Sequence, residues 1–274
     1  LSLEAASPAY WQSGGTGGFT DPSHWRDGNV PQAGWQVRFD GTTDAVVTDA
    51  DMDLFKSFGS VVLAGTATGT RLTISNETAA TISVNNGTYF FVSDGKVFKR
   101  GKGTLTRAHG SNSAMVSLYG GFEVYDGTLE LTASDGTAVM PSCPVGVFAP
   151  GVISMPTNVH TKFKGLYGDG IVSNAQASLT QNLYITSGSR AAPWEFYGTF
   201  AGNVKYYGEN NGYQRFLNPD LVIGGNLYKG YLGTAAFPDT ILRENCEYEY
   251  LGAGETAGTG SELFYMNNGA FCLT

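Results

Sequence analysis

Charge is scarce in this chain. Only 15% of its 274 residues are charged, and 16 basic side chains against 24 acidic ones leave a net charge of −8. No cluster of lysine and arginine could track a phosphate backbone, so nucleic acid is not an expected partner. Long apolar runs are missing too. No stretch of about 18 apolar residues occurs, so no membrane-spanning helix is expected. Helical periodicity is equally absent, because glycine or Asn-Gly interrupts the chain almost every ten residues. The chain opens Leu1-Ser2-Leu3-Glu4, with neither a methionine nor a charged-then-apolar leader, and reads as already processed or excised.

Histidine and cysteine are as rare as charge. His24, His109 and His160 show no H-x-x-x-H spacing, and no Gly-x-Ser-x-Gly elbow accompanies them, so a Ser or Cys hydrolase is not expected. Cys143, Cys246 and Cys272 form no C-x-x-C pair and allow at most one internal bridge. Neither a metal nor a cofactor is expected. Asp49, Asp51 and Asp53 suggest the start of a calcium loop, but Leu54 and Ser60 stand where an EF-hand needs Gly and Glu. A solvated turn is the preferred reading; three aspartates on one side of a strand, forming a surface calcium site, is the other.

What the chain does have is glycine, 38 residues, nearly twice the roughly 7% usual in proteins. It also has short alternating stretches such as Leu72-Thr73-Ile74-Ser75, Phe122-Glu123-Val124-Tyr125 and Leu183-Tyr184-Ile185-Thr186. Asn86-Gly87, Asp126-Gly127, Asp169-Gly170 and similar pairs punctuate them. The fold class is therefore all-β. Gly103-Thr104-Leu105 returns as Gly127-Thr128-Leu129 after 24 residues, and Gly202-Asn203-Val204 as Gly225-Asn226-Leu227 after 23. A period in the low twenties predicts a β-solenoid with coils about 4.8 Å apart; a Greek-key β-sandwich is the alternative. Residues 1–40 read as an N-terminal strand and a Trp- and Gly-rich cap, and residues 41–274 as the solenoid body, with an aromatic-rich stretch at 190–231.

The segment Trp11-Gln12-Ser13-Gly14-Gly15-Thr16-Gly17-Gly18-Phe19, followed by Asp21, Trp25, Pro31 and Val37-Arg38-Phe39, resembles the opening of passenger regions built from the bacterial autotransporter-associated β-strand repeat. Gly101-Lys102-Gly103-Thr104-Leu105-Thr106 through Tyr119-Gly120-Gly121 to Gly127-Thr128-Leu129 resembles the repeat itself, and Tyr248–Thr256 is similar to a segment that often follows. The resemblance covers about a third of the chain. It implies a right-handed parallel β-helix in an exported protein of the bacterial cell surface, and no particular ligand, because members share a scaffold more than an activity.

Candidate chemistry is thin. Glu123 with Glu130, or Glu244, Glu247 and Glu249, offers carboxylate pairs of the kind a glycosidase needs, and Lys99-Arg100 or Arg243-Glu244 offers the basic residue of a lyase. None of these is diagnostic, and the expectation is a protein that is not an enzyme. Trp194, Tyr206 and Tyr207 combine flat rings with polar neighbours and are candidate contacts for surface glycans; stacking of the same rings from coil to coil is the competing reading. The three thiols read either as unpaired side chains or, since Cys246 and Cys272 are 26 residues and about one coil apart, as a Cys246–Cys272 bridge that leaves Cys143 over. If the chain is a whole subunit, the alternating Leu1-Ser2-Leu3 and the apolar Phe271-Cys272-Leu273 are expected to associate head to tail between molecules; the other reading is that Thr274 is an artificial or proteolytic boundary with further coils beyond it. The leading functional expectation is an extracellular stalk, adhesin segment or filament subunit, with a carbohydrate-binding or carbohydrate-active module as the alternative.

Overall fold

The two Gly-Thr-Leu segments lie side by side. In the computed structural model Thr104 pairs with Thr128 and Leu105 with Leu129 in one parallel ladder, so the 24-residue repeat is one turn of a coil. Val204 pairs with Leu227 in the same way, which makes the 23-residue repeat a second instance. The structure describes residues 8–12, 15–16, 18–41, 44–64, 69–84, 91–109, 116–133, 137–155, 160–174, 181–186, 192, 194–201, 204–208, 213–216, 227–230, 234–237, 248–251 and 271–273.

The architecture is a parallel β-solenoid, as expected. The strands fall into four sheets of 5, 6, 11 and 4 strands, and the ladders between them are parallel. A β-sandwich, built from antiparallel pairs, is thereby excluded. Between Ser60 and Ala133 each coil visits a first sheet, a second and a third in turn, as in Phe91–Ser93, Lys96–Arg100 and Thr104–His109. The second sheet runs from Gly15–Thr16 to Tyr248–Leu251, and eleven strands at about 4.8 Å spacing give it a length of roughly 50 Å. The 11-residue strand Thr137–Val147 belongs to the second sheet but also packs beside Val116–Leu118, where the first sheet ends. The fourth sheet starts later, at Trp194–Phe196. Helix is confined to Met52–Phe55 and one 3-10 turn, Pro22–His24, among the described residues.

Period-two alternation turns every second side chain inward, and coil-to-coil register lines these up in columns. Ala45, Leu72, Val97, Phe122, Val145 and Leu166 form one such column, all buried. Leu105, Leu129, Ile153, Val172 and Phe200 form another in the third sheet. Each buried valine, leucine, isoleucine or phenylalanine of these columns contributes about 1.5–3 kcal/mol by leaving water.

Two columns contain a charge. Lys99 stands between Ile74 and Val124, and Arg107 between Ile82 and Leu131, and both are buried. The Lys99 Nζ donates to the carbonyls of Arg100 (2.7 Å), Gly101 (2.7 Å) and Asp126 (3.2 Å) at the adjoining corner. Its aliphatic stem fills the apolar column while its head is solvated by the backbone.

The corner between the second and third sheets explains much of the glycine. A Cβ on Gly103 would stand 2.3 Å from the Thr78 carbonyl oxygen and on Gly127 2.4 Å from that of Gly101, and between the fourth-sheet strand Trp194–Phe196 and the third sheet a Cβ on Gly198 would stand 2.0 Å from the Gly170 carbonyl oxygen. Corners stacked this closely leave no room for a side chain. At the N-terminal end the core is aromatic: Trp11 stacks on Phe19 at 4.7 Å and meets Trp25 edge-on at 5.1 Å, while the Trp25 Nε1 donates to the Phe19 carbonyl at 2.9 Å.

Candidate functional site

The outward side chains of the second sheet form the most elaborate polar and aromatic cluster among the described residues. Alternation along Gly121–Val124 points Phe122 and Val124 inward and Glu123 outward, yet Glu123 is only 5% exposed. Lys96, on the preceding coil, donates to its Oε1 at 2.6 Å. Tyr125 donates to Oε2 at 2.7 Å, and Tyr167, two coils further on, donates to Oε1 at 2.7 Å. Tyr167 reaches back because the intervening position is Gly146, where a Cβ would stand 2.7 Å from the Tyr167 ring.

Burial alone would raise the Glu123 pKa, but the donors Lys96, Tyr167 and Tyr125 outweigh it and hold the carboxyl below its ordinary value. The phenols show the converse: burial, reinforced by the bond to Glu123, pushes Tyr125 up to about 12 and raises Tyr167 as well. A carboxylate kept this firmly ionised is a poor proton acceptor, since an efficient general base has a pKa near the working pH.

Rings continue the cluster along the rod. Phe98 meets Tyr125 edge-on at 5.9 Å, Tyr125 lies parallel to Phe148 at 4.8 Å and 10°, Phe148 meets Tyr167 edge-on at 5.9 Å, and Tyr167 stacks with Trp194 at 6.0 Å. The Arg100 guanidinium lies 4.4 Å from the Tyr125 ring centroid. The Tyr125 and Phe148 faces are therefore turned toward one another along the stack.

Of the candidate glycan contacts, Trp194 is half-buried at the end of this ladder, against the backbone of Gly165, where a Cβ would fall 2.1 Å from the indole. Tyr206 pairs in register with Leu183 and Tyr207 with Tyr184, and the side chains of both lie outside the described residues. The structure brings Glu123 together with Lys96, not with Glu130, which lies in the third sheet and accepts from Thr106 Oγ1 at 3.2 Å. Lys99 and Arg100 do not act as a pair, because alternation turns one in and the other out. Glu244, Glu247 and Arg243 lie outside the described residues, as does the Glu249 side chain.

The aspartates form a turn leading into Met52–Phe55 rather than a strand. Asp49 accepts from the Glu77 and Thr78 amides and Thr78 Oγ1, Asp51 from the Phe19 and Thr48 amides and Thr48 Oγ1, and Asp53 pairs with Lys56 at 2.6 Å. Among the described residues no three His, Cys, Asp or Glu side chains are placed to hold a metal ion. His24 packs edge-on against Trp11 at 4.9 Å; His109 and His160 sit in strands, their side chains outside the described residues.

Cys143 is a buried free thiol, its pKa raised by desolvation. Cys246 lies outside the described residues, and so does the side chain of Cys272, whose backbone pairs with Ala236. Leu1 and Leu3 are likewise outside them, whereas Phe271 and Leu273 belong to a strand that, among the described residues, stands at one edge of the fourth sheet.

Sequence reasoning placed the aromatic emphasis at 190–231 and missed Phe98, Tyr125, Phe148 and Tyr167. The signal was present: Tyr125 and Phe148 are 23 residues apart, one coil on the period already read from the repeats. Fold and site together define a parallel β-solenoid with a stacked outer ladder. No family model, curated protein or solved structure matches this chain.

Proposed function

We propose that this chain is a non-enzymatic structural solenoid of the bacterial exterior, a stalk or adhesin segment or a filament subunit whose task is to supply length and stiffness. The observation that carries this reading is the use of ring faces between coils: Tyr125 and Phe148 stack at 4.8 Å with Arg100 beside Tyr125. A saccharide platform needs open ring faces beside convergent polar groups, whereas here the nearest carboxylate is saturated by Lys96, Tyr125 and Tyr167. The extracellular setting rests on the resemblance of residues 11–39 and 101–129 to the autotransporter-associated repeat. Head-to-tail association is supported by the parallel sheets, whose end strands Gly15–Thr16 and Tyr248–Leu251 each pair on one side only among the described residues.

A glycan screen with the parent chain and Trp194→Ala and Tyr207→Ala variants tests the first part. The expected result is no specific binder; a glycan bound by the parent and lost in the variants would overturn the structural reading. Light scattering and electron microscopy test the second: end-to-end oligomers are expected, and a strictly monomeric chain unaffected by deleting residues 1–5 would refute association through the ends.

A further inference from the structure

The third sheet starts later along the rod than the first two. After Asp44–Thr48 the chain does not enter a third-sheet strand; it turns at Asp49 and forms the short helix Met52–Phe55 before returning to Ser60–Ala64. Ala80–Val84 is consequently the edge strand of its sheet, paired on one side with Thr104–His109 and on the other with no described strand. A strand edge carries a row of N–H and C=O groups ready to pair with another chain.

Beside this edge lies an open cleft of about 640 Å³, bounded by Thr78, Ala80, Thr81 and Ser83 on one wall and by Met52 and Asp53 on the other. Its lining is net acidic. Asp49 and Asp53 both line it and Glu77 adjoins Thr78, whereas Lys56, the one cation on the walls, is held by Asp53 at 2.6 Å. Asp53, which lines the cleft, is 92% exposed.

We propose that this cleft receives an extended, cationic peptide segment that adds to Ala80–Val84 as an extra strand. Main-chain bonds to the edge supply the affinity. Alternation then places every second side chain of the guest toward the acidic wall, which selects lysine or arginine there. The solenoid becomes a scaffold with a lateral dock as well as a rod.

The probe is a capped hexapeptide alternating valine and lysine, titrated calorimetrically into the full chain, with hydrogen exchange followed in the complex. Saturable one-to-one binding is expected, with amides in residues 80–84 exchanging about tenfold slower or more. The same peptide with alternate amides N-methylated is expected not to bind, and a valine–glutamate peptide to bind less tightly. Asp53→Lys, an exposed change, is expected to weaken the lysine peptide and favour the glutamate one. Absence of protection at 80–84 under saturating peptide, or binding indifferent to N-methylation, would overturn strand addition. Binding indifferent to Asp53→Lys would overturn the cationic preference.

Discussion

Tyr167 donates its phenol to the Glu123 carboxylate at 2.7 Å across 44 residues of sequence, spanning two coils of the solenoid over the bare backbone of Gly146. The bond, with those from Lys96 and Tyr125, ties together the outer face of a stack of four coils, passing over the one that carries Gly146. It is a charge-assisted contact and belongs to the stronger class, about 1.5–3 kcal/mol each.

Glu123 should make the fold acid-sensitive. Its folded pKa lies below the ordinary 4.5, so the folded state binds fewer protons than the unfolded one below that value. Its contribution is full above about pH 4.5 and is lost as pH falls through the depressed value. Denaturant melts from pH 7 down to pH 3 should show a steeper loss for the parent than for Glu123→Gln, which at neutral pH should be less stable by about 2 kcal/mol.

Gly146→Ala should expel the Tyr167 ring, because the new Cβ would stand 2.7 Å from it. The expected cost is about 1–3 kcal/mol. Spectrophotometric titration should show one phenol returning toward the ordinary value of about 10 as its bond to Glu123 is lost.

Lys99 carries a pH signature of the same sign in an alkaline window. Burial pushes its ammonium down to about 8, against the pull of Asp126, Glu77 and Asp49. Between about pH 8 and the ordinary 10.5 the unfolded chain holds a proton that the folded one does not, so stability rises with pH. The stability difference between the parent and Lys99→Met should therefore move in favour of the parent across that window, by up to about 1.4 kcal/mol per pH unit. A flat difference would show that the three carbonyls keep Lys99 charged throughout.

Gly103→Ala should destabilise by about 1–3 kcal/mol, since the added carbon falls 2.3 Å from a backbone oxygen that cannot retreat without moving the neighbouring coil. Thermal melts provide the check, and an unchanged midpoint would show that the corners are looser than the packing implies.

The coil was legible where composition and period coincide. Gly103-Thr104-Leu105 and Gly127-Thr128-Leu129 announced both the corner and the inward leucine, and the register follows them residue for residue. Lys99 and Arg107 were not legible, because alternation assigns them to the core while their charge assigns them to water. Backbone carbonyls brought together at a corner by stacking resolve that conflict for Lys99. The aspartates at 49–53 were misleading in one of their two readings for a similar reason: the amides that engage Asp49 and Asp51 include those of Phe19, Glu77 and Thr78, which only the fold brings near. The outer ladder escaped notice because its rings are scattered singly along the sequence and converge only when the coils are stacked.

The central claim is that the outer rings serve the stack, and a double-mutant cycle on Tyr125→Leu and Phe148→Leu tests it most directly. Loss of the Tyr125 bond to Glu123 is common to both arms and cancels, leaving the ring–ring contact between neighbouring coils. The account expects a favourable coupling of about 0.5–1.5 kcal/mol in the free protein. A coupling indistinguishable from zero would contradict it.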